Sequence, residues 1–475
     1  MRLRVVLALC TFITIQGAAQ SQRVQRVDWP AVERETLEHF QAIVRLDTSN
    51  PPGNETRVAE YLSRVLDANG IPVQVLALEP ARANVVARLK GNGTRRPLLL
   101  MGHTDVVSVE PAKWQHGPFS ADRAGGYVYG RGTRDDKSSV ATALMVMLTL
   151  KRSGIALDRD VIFLAEAGEE GTTRPGIDFI VSQHFASIDA EFCLAEGGNV
   201  RRENGKVRYA SVGALEKVPR TIELIARGPS AHASVPRLSN AVARLSRAIT
   251  ALSDWQAPIR LNEITSEQFR RMASVAPPEQ ARHLEAVLSG NSEEIARATR
   301  YLQEHLPEYA ALLRTSVSPT IVEGGLRYNV VPSEAKATLD VRLLPDENPD
   351  VLLNTLRQVV NDPAVEVTFA RRDGEQRPPG GTSINTEAFR AIEQAVTQQY
   401  GTITIPTMST GASDKAQVRS KGVQCYGVGP GNDAEDAPKG FGAHADQERI
   451  RERDLHDFVR FYWDVVMRLA ASRPS

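Results

Sequence analysis

Cysteine is scarce in this sequence, which holds only Cys10, Cys193 and Cys425 among 475 residues. None of the three has another cysteine close by, so a thiolate metal site of the zinc-finger type is excluded. Once an N-terminal leader that contains Cys10 is removed, Cys193 and Cys425 can form at most one disulfide. The fold therefore does not depend on a disulfide framework.

Neither sign of charge is in excess, because Lys and Arg total 57 and so do Asp and Glu. Without a long basic run, the sequence gives no reason to expect nucleic acid or an anionic membrane surface as a partner. Long apolar runs are also missing from the rest of the chain after the N-terminus. No segment there approaches the roughly 20 apolar residues of a membrane-spanning helix.

The N-terminus has a pattern of its own. Arg2 and Arg4 precede an apolar stretch over residues 5–15, and small residues follow at 17–19. This pattern predicts a secretory signal peptide over residues 1–19, cleaved after Ala19, because the stretch is too short to span a membrane. We therefore expect a secreted or periplasmic protein with no membrane anchor after cleavage.

The length and the order of apolar patterns predict two domains. Over residues 24–214 strands alternate with helices, which favours an α/β domain with a mostly parallel, mixed sheet flanked by helices. Residues 215–380 follow the order βα, ββ, αβ, which predicts an inserted ferredoxin-like α+β lid, with a helical addition over 262–314. The α/β pattern returns over 381–475, so the first domain is discontinuous.

Residues 98–107 form a strand that ends in polar side chains. An apolar run precedes His103, and Asp105 follows two positions on. Such a run is typical of a strand covered on both faces, whose carboxyl end lies at the edge where α/β sheets bind ligands. His103 and Asp105 point to the same side. Alone, the pattern fits a metal-binding or catalytic histidine and a core histidine beside a turn aspartate equally well.

Four further segments place acidic or histidine side chains after predicted strands or in glycine-rich turns. They contribute Asp135, Asp136, Glu169, Glu170, Glu196 and His444. Taken singly, the aspartates could cap a helix, the glutamates could be a solvated pair and the histidine could be a loop residue. Taken together, five elements bring these groups to one edge of the sheet, where carboxylates repel one another unless divalent cations compensate them.

The side-chain types indicate the metal and the chemistry. Imidazole and carboxylate ligands without thiolate favour Zn²⁺, with Co²⁺ or Mn²⁺ as substitutes. Two histidines and several carboxylates suffice for two ions that share one carboxylate. Such a pair polarises a carbonyl group and lowers the pKa of a bound water, whose proton a nearby glutamate can take. The sequence therefore predicts metal-assisted hydrolysis of an amide.

In this order, the motifs resemble those of the di-zinc metallopeptidases that include carboxypeptidase S, aminoacylase, acetylornithine deacetylase and succinyl-diaminopimelate desuccinylase. The resemblance covers nearly all of the chain after the signal peptide. Trp114, Pro118 and Phe119 make the chain most similar to the carboxypeptidase S branch, and we interpret them as packing residues. The resemblance implies a zinc exopeptidase-like catalytic domain and a lid that also serves dimerisation.

The resemblance also implies metal ligands, motif by motif. His103 and Glu196 are similar to ligands of one zinc, and Glu170 and His444 to ligands of the other. Asp135 resembles the bridging ligand, which in the family is followed by a cis peptide bond.

Three further residues resemble those that carry out or support the reaction. Asp105 resembles the aspartate that supports the site, and Glu169 the general base. His232 matches the lid histidine that stabilises the oxyanion, often across a dimer interface. Asp136 occupies a position that varies in the family.

Substrate-binding positions can be carried over in the same way. Asn329 and Arg342 match lid residues that meet the substrate, although Arg342 could instead form a surface ion pair. Gly411 and Ser413 lie in a segment similar to a loop that binds the substrate carboxylate, but Ala412 stands where many relatives have glycine.

The predicted function is therefore that of a secreted two-zinc hydrolase that cleaves a peptide or dipeptide next to a free C-terminal carboxylate. An N-acyl amino acid amidohydrolase is the alternative, because both enzymes break an amide beside a carboxylate. A non-catalytic binding protein on the same fold would lack a ligand or the base, and every expected residue is present. A homodimer through the lid is compatible with the motifs, which leave the oligomeric state open.

Overall fold

The computed structural model describes residues 26–370 and 377–472. The predicted signal peptide, residues 1–19, lies outside the described residues. The strands are β1 Ser49–Asn50, β2 Val73–Ala77, β3 Ala83–Leu89, β4 Leu98–His103, β5 Val106–Val107, β6 Asp122–Ala124, β7 Tyr127–Tyr129, β8 Val161–Glu166, β9 Phe192–Ala195, β10 Asn199–Glu203, β11 Lys206–Glu216, β12 Val218–Arg227, β13 Ala231–His232, β14 Ser316–Gly324, β15 Val330–Val331, β16 Glu334–Leu343, β17 Val365–Phe369, β18 Thr404–Ser409, β19 Gln424–Gly427, β20 Gly431–Asp433 and β21 Arg449–Arg451.

The helices are α1 Trp29–Val44, α2 Thr56–Ala68, α3 Lys137–Ser153, α4 Phe179–Gln183, α5 Phe185–Ile188, α6 Ala241–Asp254, α7 Glu263–Ala273, α8 Pro278–Ala286, α9 Ser292–His305, α10 Pro307–Ala311, α11 Pro349–Val360, α12 Glu387–Tyr400, α13 Lys415–Ser420 and α14 Glu452–Ala470. Among the described helices, none combines the length and the apolar character needed to cross a membrane.

The central sheet has ten strands, in the order β2-β3-β8-β4-β9-β19-β11-β10-β20, and β18 pairs with β11. Its middle strands β8, β4, β9 and β19 run parallel. Strand β2 pairs antiparallel with β3, and β3 with β8. Strand β11 pairs antiparallel with β19 and β10 but parallel with β18, and β10 pairs parallel with β20. Helices cover both faces, and the four central strands are buried throughout or nearly so. The predicted α/β fold with a mostly parallel, mixed sheet is confirmed.

Strands from both ends of the chain build this sheet. Cys193 on β9 lies opposite Cys425 on β19, and the two form a disulfide. The chain leaves the sheet after β11 and returns at Gly381, which pairs with Leu215. The segment between those two points therefore forms an insertion.

The insertion contains a second sheet of four antiparallel strands, in the order β14-β16-β12-β17. Helices α6 and α11 bury their apolar sides against it, around Leu245, Leu339 and Leu356. We call this sheet with its two helices the lid. Strand β14 lies at its edge, and its second half is exposed.

Helices α7–α10 fill the predicted helical addition, which we expected to extend the lid. Their core contacts lie elsewhere: Phe269 and Leu302 pack in one cluster with Leu215, Ile405 and Met408 of the central sheet. The amphipathic pattern of these helices requires an apolar partner surface, and β11 and β18 supply it. The addition is thus anchored on the central sheet.

Candidate metal centre and active site

The predicted strand over residues 98–107 is divided in two, and the division places His103 and Asp105. Strand β4 ends at His103 and β5 begins at Val106. His103 is buried, and its Nδ1 lies 3.0 Å from the main-chain oxygen of Asp105. This contact orients the ring, so that Nε2 faces Asp135 Oδ1 at 3.0 Å and Glu196 Oε2 at 3.7 Å.

A second histidine lies on the other side of Asp135. His444 Nε2 is 3.2 Å from Asp135 Oδ2 and 2.9 Å from Glu170 Oε1. Each oxygen of Asp135 thus faces one histidine, and the peptide bond between Asp135 and Asp136 is cis. Contacts with the two acids raise the pKa of His444 to about 10. The residues predicted to hold two ions meet at one place, with Asp135 in the middle.

Asp105 holds the loop that follows β8. Its Oδ1 accepts the N–H of Glu169 at 3.1 Å, and its Oδ2 accepts the N–H of Glu170 at 3.0 Å. Oδ2 also accepts the side-chain amide of Asn50 at 2.9 Å. Because Asp105 is fully buried, these bonds fix where the side chains of Glu169 and Glu170 start. Asn50 is the last residue of β1, directly before two prolines, and nothing in the sequence around it indicates this contact.

Glu448 organises the glycine-rich turn before α3, a role that no motif in the sequence indicates. It is fully buried; Oε2 accepts Arg131 Nη1 at 2.8 Å and the N–H of Gly132 at 3.1 Å. Oε1 accepts the N–H of Arg134 at 2.7 Å and of Asp135 at 3.3 Å. The turn also needs Gly132, whose φ is +81° and where a Cβ would lie 2.6 Å from a methyl of Val106.

Trp114 and Phe119 pack around this same turn. The Arg131 guanidinium lies 5.3 Å from the ring centre of Trp114, and Lys137 Nζ lies 5.8 Å from that of Phe119. Such contacts support the backbone that carries Asp135. They agree with the interpretation of both aromatic residues as packing residues.

Two further buried acids lie at the centre, Asp136 and Glu166. One oxygen of each, Asp136 Oδ2 and Glu166 Oε2, has no hydrogen-bond partner among the residues that the structure describes. Burial raises the pKa of both carboxyls, that of Glu166 to about 8. Orphaned acceptors of this kind are costly in a buried site unless a cation or proton satisfies them.

Two sets of ligand atoms lie close enough to hold a metal ion, each within 4.8 Å: His103 with Asp136 and Glu196, and His103 with Asp135 and Glu170. The unpartnered oxygens and the mixture of imidazole and carboxylate fit divalent metal ions. The first set includes Asp136, to which the sequence assigned no role.

Glu169 lies beside the metal centre and is largely buried, with 12% of its side chain exposed. Burial, and after it the nearby Glu196 carboxylate, raise the pKa of Glu169 to about 8. Arg377 Nη2 donates to Glu169 Oε1 at 3.0 Å, and Arg377 Nη1 donates to Asp414. Arg377 gave no sequence signal, because it lies in a polar connection between the lid and the central sheet.

A cavity of about 320 Å³ opens beside Glu169 and Glu170 and is closed on the other side by the lid. Three arginines, Arg220, Arg342 and Arg377, are among its lining residues. Arg342 pairs with Asp340 of its own strand, at 2.7 and 3.0 Å. Both interpretations of Arg342 thus describe part of its surroundings, an ion pair and a position in the cavity.

His232 and Asn329 are neighbours on an exposed ribbon of the lid. His232 pairs with Val330, and the main-chain oxygen of Asn329 accepts the N–H of Ala233. The imidazole Nδ1 lies 2.7 Å from Ser234 Oγ. Across the described ranges, 26–370 and 377–472, no hydrogen bond or ion pair joins this ribbon to the metal centre.

Ser413 lies away from the cavity that its predicted role requires it to face. Ser413 is buried, and its hydroxyl bonds Glu216 at 2.6 Å and Lys415 at 2.5 Å. Lys415 in turn donates to the main-chain oxygen of Glu196 at 2.7 Å. Ser413 therefore belongs to a buried polar network that supports the backbone at Glu196, and it does not face the cavity. Gly411 donates its N–H to Ser409, and its neighbour Ala412 lines the cavity.

Comparison with known proteins agrees with this geometry. The model of Peptidase family M20/M25/M40 matches residues 99–468. The "probable carboxypeptidase S-like 2" of Dictyostelium discoideum is 28% identical over 346 residues, which cover 70% of this chain and 64% of that protein. Aminoacylase-1A of Rattus norvegicus is 24% identical over 93% of this chain and 97% of its own.

Among solved structures, an M20 family metallo-carboxypeptidase from Sulfolobus solfataricus has the same fold. The TM-score is 0.70 at 20% identity, and the match covers 91% of this chain and 98% of that one. The family match spans most of the chain, including every residue of the metal centre. The chain therefore belongs to Peptidase family M20/M25/M40 and is a metal-dependent hydrolase of that family.

Proposed function

We propose that this chain is a two-zinc hydrolase that cleaves the amide bond of a peptide or dipeptide next to a free C-terminal carboxylate. The observation that carries the proposal is the position of Asp135, with one oxygen toward His103 and the other toward His444. A carboxylate placed in this way could bind two cations at once, and each histidine would then be a ligand of one of them.

The residues that would hold the ions are those of the metal centre. His103, Glu196 and Asp135 would bind one ion, and His444, Glu170 and Asp135 the other. When bound, the ions would polarise the scissile carbonyl and acidify a water molecule. Imidazole and carboxylate ligands without thiolate support zinc, and Co²⁺ or Mn²⁺ would substitute.

Glu169 is the proposed general base. Its carboxyl group lies at the mouth of the cavity, and its main-chain N–H is fixed by Asp105. From there it can accept a proton from the attacking water and pass it to the leaving amine nitrogen. The raised pKa of about 8 suits a group that must both take up and release a proton near neutral pH.

Arg342 is the proposed partner of the substrate carboxylate. It lines the cavity, and its guanidinium already accommodates a carboxylate in two-point fashion, that of Asp340. An arginine in such a place binds a second carboxylate with well-defined geometry. The free carboxylate beside the cleaved bond would therefore anchor the substrate.

We propose further that the lid forms a homodimer, in which His232 and Asn329 of one copy serve the active site of the other. Both residues are exposed, and within the described ranges no hydrogen bond or ion pair joins them to the metal centre of their own chain. The edge strand β14 next to them exposes Ile321 and Val322, and Tyr328 on the adjoining loop is almost fully exposed. An unpaired edge with apolar side chains favours pairing with a second copy.

The homodimer can be tested by mixing two inactive variants, His232→Ala and Glu169→Gln. If the copies share active sites, the mixture regains activity, because one site of a mixed dimer has both residues intact. Activity that stays absent, together with a monomeric mass in light scattering, would contradict the proposal.

An N-acyl amino acid amidohydrolase is the second candidate. The observation that favours it is the alignment with rat aminoacylase-1A, which extends over 93% of this chain. Both reactions use the same base and the same recognition of a carboxylate. A panel of dipeptides, longer peptides and N-acyl amino acids, assayed with zinc, separates the two by kcat/KM.

The central test is Glu169→Gln, which removes the base and keeps its shape. Turnover should fall by at least about 100-fold, the usual contribution of general acid–base catalysis, while metal content measured by mass spectrometry stays at two ions per chain. Glu60→Gln, on the exposed face of α2, is the matched control and should leave turnover unchanged. Near-normal turnover of Glu169→Gln would contradict the assignment.

We also propose that the mature enzyme acts in the periplasm or outside the cell. The N-terminal pattern of the sequence supports export, and so does the Cys193–Cys425 disulfide, since disulfides persist in oxidising compartments. Fractionation of cells that express the full chain, with mass spectrometry of the mature N-terminus, tests it. A protein that stays in the cytosol with residues 1–19 attached would contradict export.

A further inference from the structure

The cavity beside Glu169 contains more positive charge than a single substrate carboxylate requires. Arg220, Arg342 and Arg377 all line its wall. Two of them already have carboxylate partners, since Arg342 pairs with Asp340 and Arg377 with Glu169 and Asp414.

Arg220 differs from the other two. Its Nη1 donates to the main-chain oxygen of Pro219 at 2.7 Å and to that of Arg377 at 3.2 Å. Within the described ranges, no carboxylate lies within ion-pair distance of its guanidinium. The side chain is half-buried, and burial lowers its pKa from the usual value. An arginine nevertheless keeps its charge in proteins, so the cavity wall holds a cation that none of the described carboxylates pairs with.

The position of Arg220 relates it to the proposed carboxylate site. Pro219 pairs with Arg342 and Arg220 with Val341 across strands β12 and β16, so the side chains of Arg220 and Arg342 leave the lid sheet on opposite faces. Both residues nevertheless line the same cavity of about 320 Å³, at the end of these strands, and a ligand with two carboxylates that occupies this cavity can meet both. Its charge would neutralise Arg220 without displacing Asp340 or Glu169 from their own partners.

We infer that Arg220 selects substrates whose leaving amino acid is acidic, that is, aspartate or glutamate. This inference rests on the proposed function and specifies its substrate class. Arg342 receives the α-carboxylate and Arg220 the side-chain carboxylate. Arg220 is thus a specificity-determining residue that touches the substrate and takes no part in bond cleavage.

Matched substrates that differ only in charge provide the test. Ala-Glu is compared with Ala-Gln, and N-acetyl-Glu with N-acetyl-Gln, so that a peptidase and an amidohydrolase are both covered. Hydrogen bonds to a charged partner are worth enough to predict a kcat/KM about 10- to 100-fold higher for the glutamate member of the cleaved pair. In Arg220→Met this ratio should fall to within about 2-fold, through loss of the glutamate substrate alone.

Two variants control for structural effects. Arg227→Met lies on the same strand, where Arg227 pairs with Glu334 and Glu366 on the surface, and it should leave both substrates unchanged. Arg220→Lys keeps the charge and should restore part of the preference. Melting temperatures of all variants show whether each is folded.

Several results would overturn the inference. The wild type could show no preference for glutamate, or Arg220→Met could reduce both members of a pair equally. A preference for Glu-Ala over Gln-Ala without one for Ala-Glu would place the charge on the acyl side instead. In each of these cases the enzyme still hydrolyses neutral substrates, and the proposed function stands. If the protein with zinc bound hydrolyses none of the substrates, the proposed function is refuted as well.

Discussion

Replacement of Glu448 by glutamine should weaken both the fold and the metal centre. Glu448 accepts four hydrogen bonds with two oxygens, from the Arg131 guanidinium and from the N–H groups of Gly132, Arg134 and Asp135. A glutamine keeps one oxygen and turns an NH₂ group toward two of these donors. It also leaves Arg131, itself buried, without a carboxylate.

The magnitude follows from the burial of both partners. Removing one member of a buried ion pair costs about 3–5 kcal/mol, because the other charge is left uncompensated. We therefore expect Glu448→Gln to lower the free energy of unfolding by about this amount in urea titrations followed by circular dichroism. Glu452→Gln is the control, since its pair with Arg123 lies at the surface and should be worth less than about 1 kcal/mol.

The same substitution has a second readout in metal affinity. The N–H of Asp135 bonds Glu448, so a displaced turn moves the carboxylate that lies between His103 and His444. Both ions should bind more weakly in isothermal titration calorimetry with Zn²⁺, whereas loss of a ligand of one ion would weaken only one step. A Glu448→Gln protein that unfolds within about 1 kcal/mol of the wild type and binds both ions normally would refute this reasoning.

Three further perturbations have defined outcomes. Asp105→Asn leaves one oxygen for the N–H groups of Glu169 and Glu170, so one of these donors loses its acceptor. We expect the free energy of unfolding to fall by about 1–3 kcal/mol and kcat to drop clearly. Unchanged values of both would contradict the role of Asp105. Chelation with EDTA should lower the melting temperature, because ions present at about 1,000 times their Kd stabilise the folded state by about 4 kcal/mol. Addition of Zn²⁺ should restore the melting temperature. A melting temperature that EDTA leaves unchanged would argue against bound ions. Burial lowers the pKa of Lys217 to about 8. Between pH 8 and the higher pKa of lysine in the unfolded chain, only the unfolded state holds the proton. The free energy of unfolding should therefore rise from pH 7 to pH 10 by up to roughly 3 kcal/mol. Denaturant titrations of Lys217→Met should lack this rise, and an identical rise in the variant would assign it to other groups.

The candidate ligands could be located from the sequence because each lies at the end of a locally recognisable element. His103 and Glu166 close two adjacent parallel strands, and Glu196 follows the next one. Burial of an apolar strand is a local property of its residues, so the polar position after it can be located without knowing the partner strands. The order of the motifs then supplied the family and the fold.

Residues that act through distant partners could not be found in this way. Glu448 bonds a turn more than three hundred positions earlier, and its own surroundings in the sequence resemble an ordinary loop. Arg220 and Arg377 meet only because the lid folds back over the loop of Glu169. A pairing of this kind depends on tertiary packing, for which a local pattern has no signal.

Two features of the fold depend on distant partners in the same way. Strand β11 contains Lys206, Arg208 and Gly213, which are unfavourable in an isolated strand, but it lies between three partners in the central sheet. The position of the helical addition in the chain predicts that it belongs to the lid. In the structure its apolar side packs against β11 and β18 of the central sheet. In both cases the neighbours decide, and they are distant in sequence.

The pairing of β9 with β19 has a consequence for biosynthesis. Cys193 and Cys425 mark adjacent strands that are 232 residues apart in the chain. At a ribosomal rate of roughly 5–20 residues per second, the edge of β9 that β19 will cover waits for about 12–46 seconds after it is made. During that interval a buried, apolar parallel strand has an open edge, the type of surface that recruits other nascent chains. Aggregation of chains truncated before β19, compared with chains that extend past α14, would measure how strongly this protein depends on help during synthesis.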